Sequence, residues 1–156
     1  MKYQSILAAM LGVALIGSVM AQTSCTQVPC KVGDVVTTYS DGSDIYFACP
    51  SRELSEYTAV VLGLISMHLQ VTGKAPILNA TTGEPQYKDE TQQILDAHRT
   101  AAGVKSFKEA KSRCSVGQAS RKVRIEEFAS TSKSMLVLDK SGKKYWMSKS
   151  HADHRQ

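Results

Sequence analysis

Four cysteines, Cys25, Cys30, Cys49 and Cys114, constrain this chain more than any other feature. An even number of cysteines suits a disulfide framework built in an oxidising compartment. Four cysteines allow three pairings. The short spacing of Cys25-Thr26-Gln27-Val28-Pro29-Cys30 favours a local bridge, leaving Cys49 to pair with Cys114. That second bridge closes a loop of roughly 65 residues, worth about 4 kcal/mol in the chain-entropy model. A zinc site is the competing use, but it wants a closer Cys-x-x-Cys pair or a paired histidine motif.

The front of the chain agrees with that compartment. Met1 to Ser5 carries one positive charge, Ile6 to Gly17 is uncharged and mostly apolar, and Ser18-Val19-Met20-Ala21 suits a signal peptidase. The expectation is a secretory signal over residues 1–21, cleaved after Ala21, and a periplasmic or secreted product. The apolar run is shorter than the roughly 20 residues that span a bilayer. No basic stop-transfer cluster follows it, so no stable membrane span is expected after cleavage. Cys25 lies too far downstream for a lipoprotein. Residues 22–156 then have the length of a single domain.

Charge divides this domain in two. Residues 22–102 hold five Lys/Arg against nine Asp/Glu, whereas residues 103–156 hold 13 against five. Such asymmetry suits an acidic partner, an anionic surface, or docking of one half on the other. A solvated basic face without a partner is the plain alternative.

Val35 to Tyr39 and Ile45 to Ala48 are rich in β-branched and aromatic residues, with turn chemistry at Ser40-Asp41-Gly42-Ser43 between them. This predicts a β-hairpin ending at Cys49. Pro50 stops the strand, and Ser51 can cap a helix over residues 52–72. Leu54, Tyr57, Val61, Leu64, His68 and Val71 share one face of that helix, and Gly73 ends it. Residues 74–88 read as a loop, in which Asn79-Ala80-Thr81 matches a glycosylation acceptor. A second helix is expected over residues 89–102. A third starts at the capping box Ser106-Phe107-Lys108-Glu109 and leads into Cys114. Three strands follow, at residues 122–127, 135–139 and 144–147, joined as an antiparallel meander. The fold class is therefore α+β: a small antiparallel sheet, made of the hairpin and the meander, packed on two to three helices and stapled by disulfides. The basic meander region spans residues 103–150, and the polar tail, 151–156, is expected to fray.

Catalytic signatures are sparse. No Gly-x-Ser-x-Gly elbow or Gly-rich phosphate loop is present. His68 lies on an apolar helical stripe, and His98 sits beside Arg99 in a polar setting. His151 and His154 offer at most an opportunistic metal site, so neither a cofactor nor a metal is expected. Glu53/Glu56 and Asp89/Glu90 fall at helix starts, where the macrodipole favours acid. Glu126/Glu127 would face opposite sides of a strand.

The meander's basic and aromatic residues remain: Arg121, Lys122, Arg124, Lys140, Lys143, Lys144, Tyr145, Trp146 and Lys149. They are the expected partner-binding set. Alternation puts Tyr145 and Met147 on one face and Trp146 on the other, so one aromatic faces away from the core. The leading expectation is an exported, non-enzymatic interaction protein of the inhibitor, immunity or envelope-accessory type. Its partner would be an acidic protein or an anionic envelope polymer, and nucleic acid is not expected. The alternatives are a small secreted hydrolase with a histidine/carboxylate site, and a structural or host-directed secreted effector.

Overall fold

Ser51 starts the longest helix, α1 (Arg52–Thr72), because its side chain accepts from the Leu54 amide and Glu53 sits at the positive end. Gly73, at φ 68°, ends it in the left-handed conformation that a residue without Cβ adopts freely. The computed structural model describes residues 24–40 and 44–154, so the signal sequence read over residues 1–21 lies outside them. The second helix, α2 (Glu90–Ala101), starts at the Asp89 cap, and α3 (Phe107–Arg113) starts at Ser106. Ser106 accepts from the Glu109 amide, while the Glu109 carboxylate reaches back to the Lys105 amide, one residue beyond the usual capping box.

The strands are β1 (Val35–Thr38), β2 (Phe47–Ala48), β3 (Ser115–Val116), β4 (Lys122–Phe128), β5 (Ser134–Asp139), β6 (Lys144–Ser148) and β7 (Ala152–Asp153). Five form a curled antiparallel sheet in the order β6-β5-β4-β1-β7, and β2 pairs with β3 in a second, small sheet. The α+β class with a β4-β5-β6 meander is as expected. The N-terminal hairpin is not: β1 and β2 belong to different sheets. Both edges of β1 are taken, one by β4 and the other by β7, so no edge is left for β2. The Cys49–Cys114 bridge holds β2 against β3 instead.

The tail also departs from expectation. Lys149–His151 forms a 3-10 turn, and β7 then pairs Thr37 with Asp153 and Thr38 with Ala152. Ala152 is fully buried and Asp153 nearly so. Polar composition suggested fraying, yet the polar groups have partners: His151 Nε2 lies 3.1 Å from Asp44, and His154 Nε2 lies 3.2 Å from Asp34.

Two cores result. Val36, Val123, Ile125, Met135, Val137, Tyr145 and Met147 alternate inward from the curled sheet and pack with the Cys25–Cys30 bridge. Phe47, Leu54, Tyr57, Val61, Leu95 and Phe107 fill the space between β2 and the helices. The helical stripe of α1 is core only as far as Val61. Leu64 and His68 are half-buried, and Val71 is 79% exposed.

Residues 74–88 are tied down by a buried carboxylate. Leu78 and Pro85 form an isolated bridge, and Asn79 Oδ1 accepts from the Thr81 and Thr82 amides inside that turn. Glu84, with its side chain 3% exposed, accepts from the Tyr57 hydroxyl and from Arg99 Nη1, each at 2.5 Å. Burial first, then the Glu84 hydrogen bond, pushes the Tyr57 hydroxyl well above the usual tyrosine range, so it stays a donor. Removing one partner strands a buried charge. Arg99→Met should therefore cost about 3–5 kcal/mol in urea denaturation of the oxidised protein. Glu84→Leu combined with Arg99→Met should recover most of that loss. A single variant as stable as the parent would mean that Glu84 is solvated after all.

Candidate functional site

The start of β4 is held by a dense set of hydrogen bonds. The Gly117 amide donates to Tyr46 O, the Ser120 amide to Thr38 O, and the Thr38 amide to Arg121 O. The Thr38 hydroxyl and the Tyr46 hydroxyl both donate to Gln118 O, at 2.6 and 3.0 Å. Arg121 Nε donates to the Gln118 side chain at 2.9 Å, which orients its guanidinium. A Cβ at Gly117 would lie 2.2 Å from the Tyr46 ring, so only glycine lets this segment lie flat on that ring.

The β5–β6 turn is built as firmly. Asp139 Oδ1 accepts from the Ser141 amide, the Ser141 hydroxyl and the Lys143 amide, and Gly142 takes φ 83°. The Ser141 hydroxyl and then the Lys143 amide hold the Asp139 carboxyl below the usual carboxylate range, keeping it ionised. Oδ1 is spent on the turn that presents Lys140 and Lys143.

These two pinned segments and β3 enclose a cleft of about 680 Å³. Arg121, Lys122, Lys140 and Lys143 line it, with Tyr46, Tyr145, Ala48 and Val116 between them and Asp139 as the one lining acid. Among the described residues none of the four cations makes an ion pair. Burial, then the neighbouring Tyr46 hydroxyl, raises the Tyr145 pKa well above the usual range, so its phenol is neutral. The cleft can therefore hold anions against unspent positive charge, with apolar and phenolic surface beside it.

The nine residues picked from the sequence thus part company. Four cations gather in the cleft. Arg124 and Lys144 project from the sheet onto Glu126 instead, each 2.9 Å from a carboxylate oxygen. A register shift between Ile125 and Glu127 leaves Glu126 without a cross-strand partner and frees it to serve both. Lys144 first, then Arg124, holds its carboxyl below the usual range. Tyr145 lines the cleft but belongs to the core. Trp146 faces the other way, half-buried, where its backbone pairs with Cys49. Lys149 is 5% exposed; its ammonium donates to Ala129 O and sits 3.8 Å from the Phe128 ring centroid. Burial lowers the Lys149 pKa, a shift that Glu56 opposes. Lys149 fastens the β4–β5 connection and, unlike the four cleft cations, is buried.

The histidines do not converge. His68 and His98 stay on separate helices, while His151 and His154 turn to different carboxylates. No group of three metal-ligating side chains occurs among the described residues. Sequence reasoning missed Tyr46, Gly117 and Gln118, which shape the cleft floor. Nothing local in the sequence signals them, because the contact joins residues about 70 positions apart.

No protein-family model matches this chain, and neither a curated protein nor a solved structure does. The functional reading therefore rests on the site itself.

Gly117→Ala should drive the Tyr46 ring from its seat and cost about 1–3 kcal/mol by overpacking. Thermal unfolding and the tyrosine near-ultraviolet dichroism report this together. An unchanged spectrum and midpoint would mean that the close approach is absent in solution.

Proposed function

We propose that this chain is an exported interaction protein that captures an anionic partner, an acidic protein surface or an anionic envelope polymer, in the cleft beside β3. The observation that carries the reading is the concentration of Arg121, Lys122, Lys140 and Lys143 on one concave surface without ion-pair partners among the described residues. Its concavity favours a protruding acidic segment over a flat surface. Two disulfides mark an oxidising compartment. Together with the apolar segment ending at Ala21, they support a periplasmic or secreted site of action.

Electrostatic capture weakens as the Debye length shrinks from about 30 Å at 0.01 M salt to about 8 Å at 0.15 M. Affinity capture from envelope extract and binding of labelled polyglutamate, each at both salt concentrations, test the idea. Lys122→Glu, Lys140→Glu and Lys143→Glu combined should weaken both by at least about tenfold at low salt, where each lost attraction is least screened. Arg124→Glu with Lys144→Glu should have a smaller effect, and Lys149→Met should bind like the parent. If the triple variant captures the same partners with the same strength, the cleft is not the binding surface.

A further inference from the structure

A second groove, of about 630 Å³, runs along α1, where buried Ser55 and Thr58 also line it. Leu62, Ile65, Met67 and Leu69 of the helix line it, with Ile45 and Phe47 of the chain leading into β2. The helix offers no charge there, since no Asp, Glu, Lys or Arg occurs from Tyr57 to Gly73. The polar lining of the same groove includes Ser150, His151 and Asp44. These three side chains are hydrogen-bonded in series: Ser150 Oγ lies 3.0 Å from His151 Nδ1, and His151 Nε2 lies 3.1 Å from Asp44 Oδ1.

A carboxylate accepts, so the ring nitrogen that faces Asp44 is the donor side of this chain and Nδ1 is the side that faces the Ser150 hydroxyl. The ring is held as well: the Tyr46 ring centroid lies 5.3 Å from it, and the Tyr39 amide donates to His151 O at 2.7 Å. A nucleophile within hydrogen-bond reach of a base, and that base contacted by a third group, is the arrangement that activates a serine; here the two ring nitrogens are exchanged relative to the usual serine–histidine–aspartate order, with Ser150 on Nδ1 and a 58% exposed Asp44 on Nε2. Ser150 is solvent-exposed, and Ser148 Oγ lies 2.8 Å from its hydroxyl as a further polar contact.

We propose that Ser150, His151 and Asp44 form a hydrolytic site for carboxylic esters whose acyl chain lies in the groove along α1, against Leu62, Ile65, Met67 and Leu69. Ser150 Oγ attacks the ester carbonyl carbon while its proton passes to His151 Nδ1. The carbonyl carbon–alkoxy oxygen bond breaks, and the same proton goes to the departing alcohol. Water then adds to the Ser150 acyl ester, giving its proton to Nδ1. The acyl–Oγ bond breaks, the proton returns to Oγ, and the free acid leaves. Asp44 stabilises the transient imidazolium and is not itself protonated. This activity goes beyond capture in the basic cleft and uses none of that cleft's cations.

The test uses the oxidised protein, a fluorophosphonate probe, and p-nitrophenyl acetate and octanoate. Ser150 should be labelled, with mass spectrometry placing the adduct there, and nitrophenol should appear in a burst equal to the protein concentration. Octanoate should be hydrolysed with the higher kcat/KM. Leu69→Glu should lose that preference. Ser150→Ala, at an exposed position, should retain the fold and lose both labelling and the burst. Asp44→Asn and His151→Asn should each lower octanoate turnover, the latter, as loss of the general base, by about 100-fold or more. Failure to label Ser150, or octanoate turnover by Ser150→Ala at the parent rate, would overturn the proposal. Neither result touches the reading of the basic cleft, which is scored by salt-sensitive binding alone.

Discussion

Cys49 is the residue on which the architecture hinges. Its backbone amide and carbonyl exchange hydrogen bonds with those of Trp146, at 2.9 and 2.8 Å, so one side of its strand is locked to β6. On the other side its sulfur is bonded to Cys114, with the two Cα atoms 4.4 Å apart, the separation of a non-hydrogen-bonded antiparallel pair. One residue therefore joins the five-stranded sheet to the small one. It also sits in the helical core beside Leu54, Tyr57 and Val61. Without that seam β2 would be two residues of strand with little of its own to hold it, and the cleft beside β3 would lack a wall.

From the seam, each functional surface follows by short chain paths. β2 leads back to Tyr46, whose ring lies under Gly117, and β3 leads forward through residues 117–121 into β4. The cations of the cleft are thus carried on a segment fixed at both ends. Lys140 and Lys143 come from a turn whose shape is set by Asp139. Fixing the backbone that carries these lysines sets where their ammonium groups can reach without ordering the turn on binding. Glu84 plays a comparable part on the far side of the helical core, where one buried carboxylate ties residues 74–88 to α1 and α2.

What could be read from the sequence was mostly local. Helix limits were legible because caps and stops are local chemistry: Ser51 and Gly73 frame α1, and Asp89 caps α2. The meander was legible because short turns leave consecutive strands few partners to choose from. Partner choice for β1 was not, since Val35 to Thr38 encode a strand and carry no information on which edges meet it. The tail misled for a related reason: composition marks His151 and Asp153 as polar, but not that each would be buried against the sheet. The basic set was half legible. Counting charge located the right region, and alternation sorted Tyr145 from Trp146. Only the bulge at Glu126, which diverts Arg124 and Lys144, and the burial of Lys149 show which cations stay available.

Tyr46 connects the two concave surfaces. Its ring lines both grooves, its hydroxyl donates to Gln118 O on the cleft side, and its face lies near the His151 imidazole on the other. Gly117 leaves no free volume against that ring, so the ring cannot shift toward the cleft unless residues 117–121 move with it. An anion that tightens the Arg121 segment would therefore also hold the ring against which His151 is oriented. Coupling between the surfaces requires only that a ligand prefer one position of Tyr46 over another.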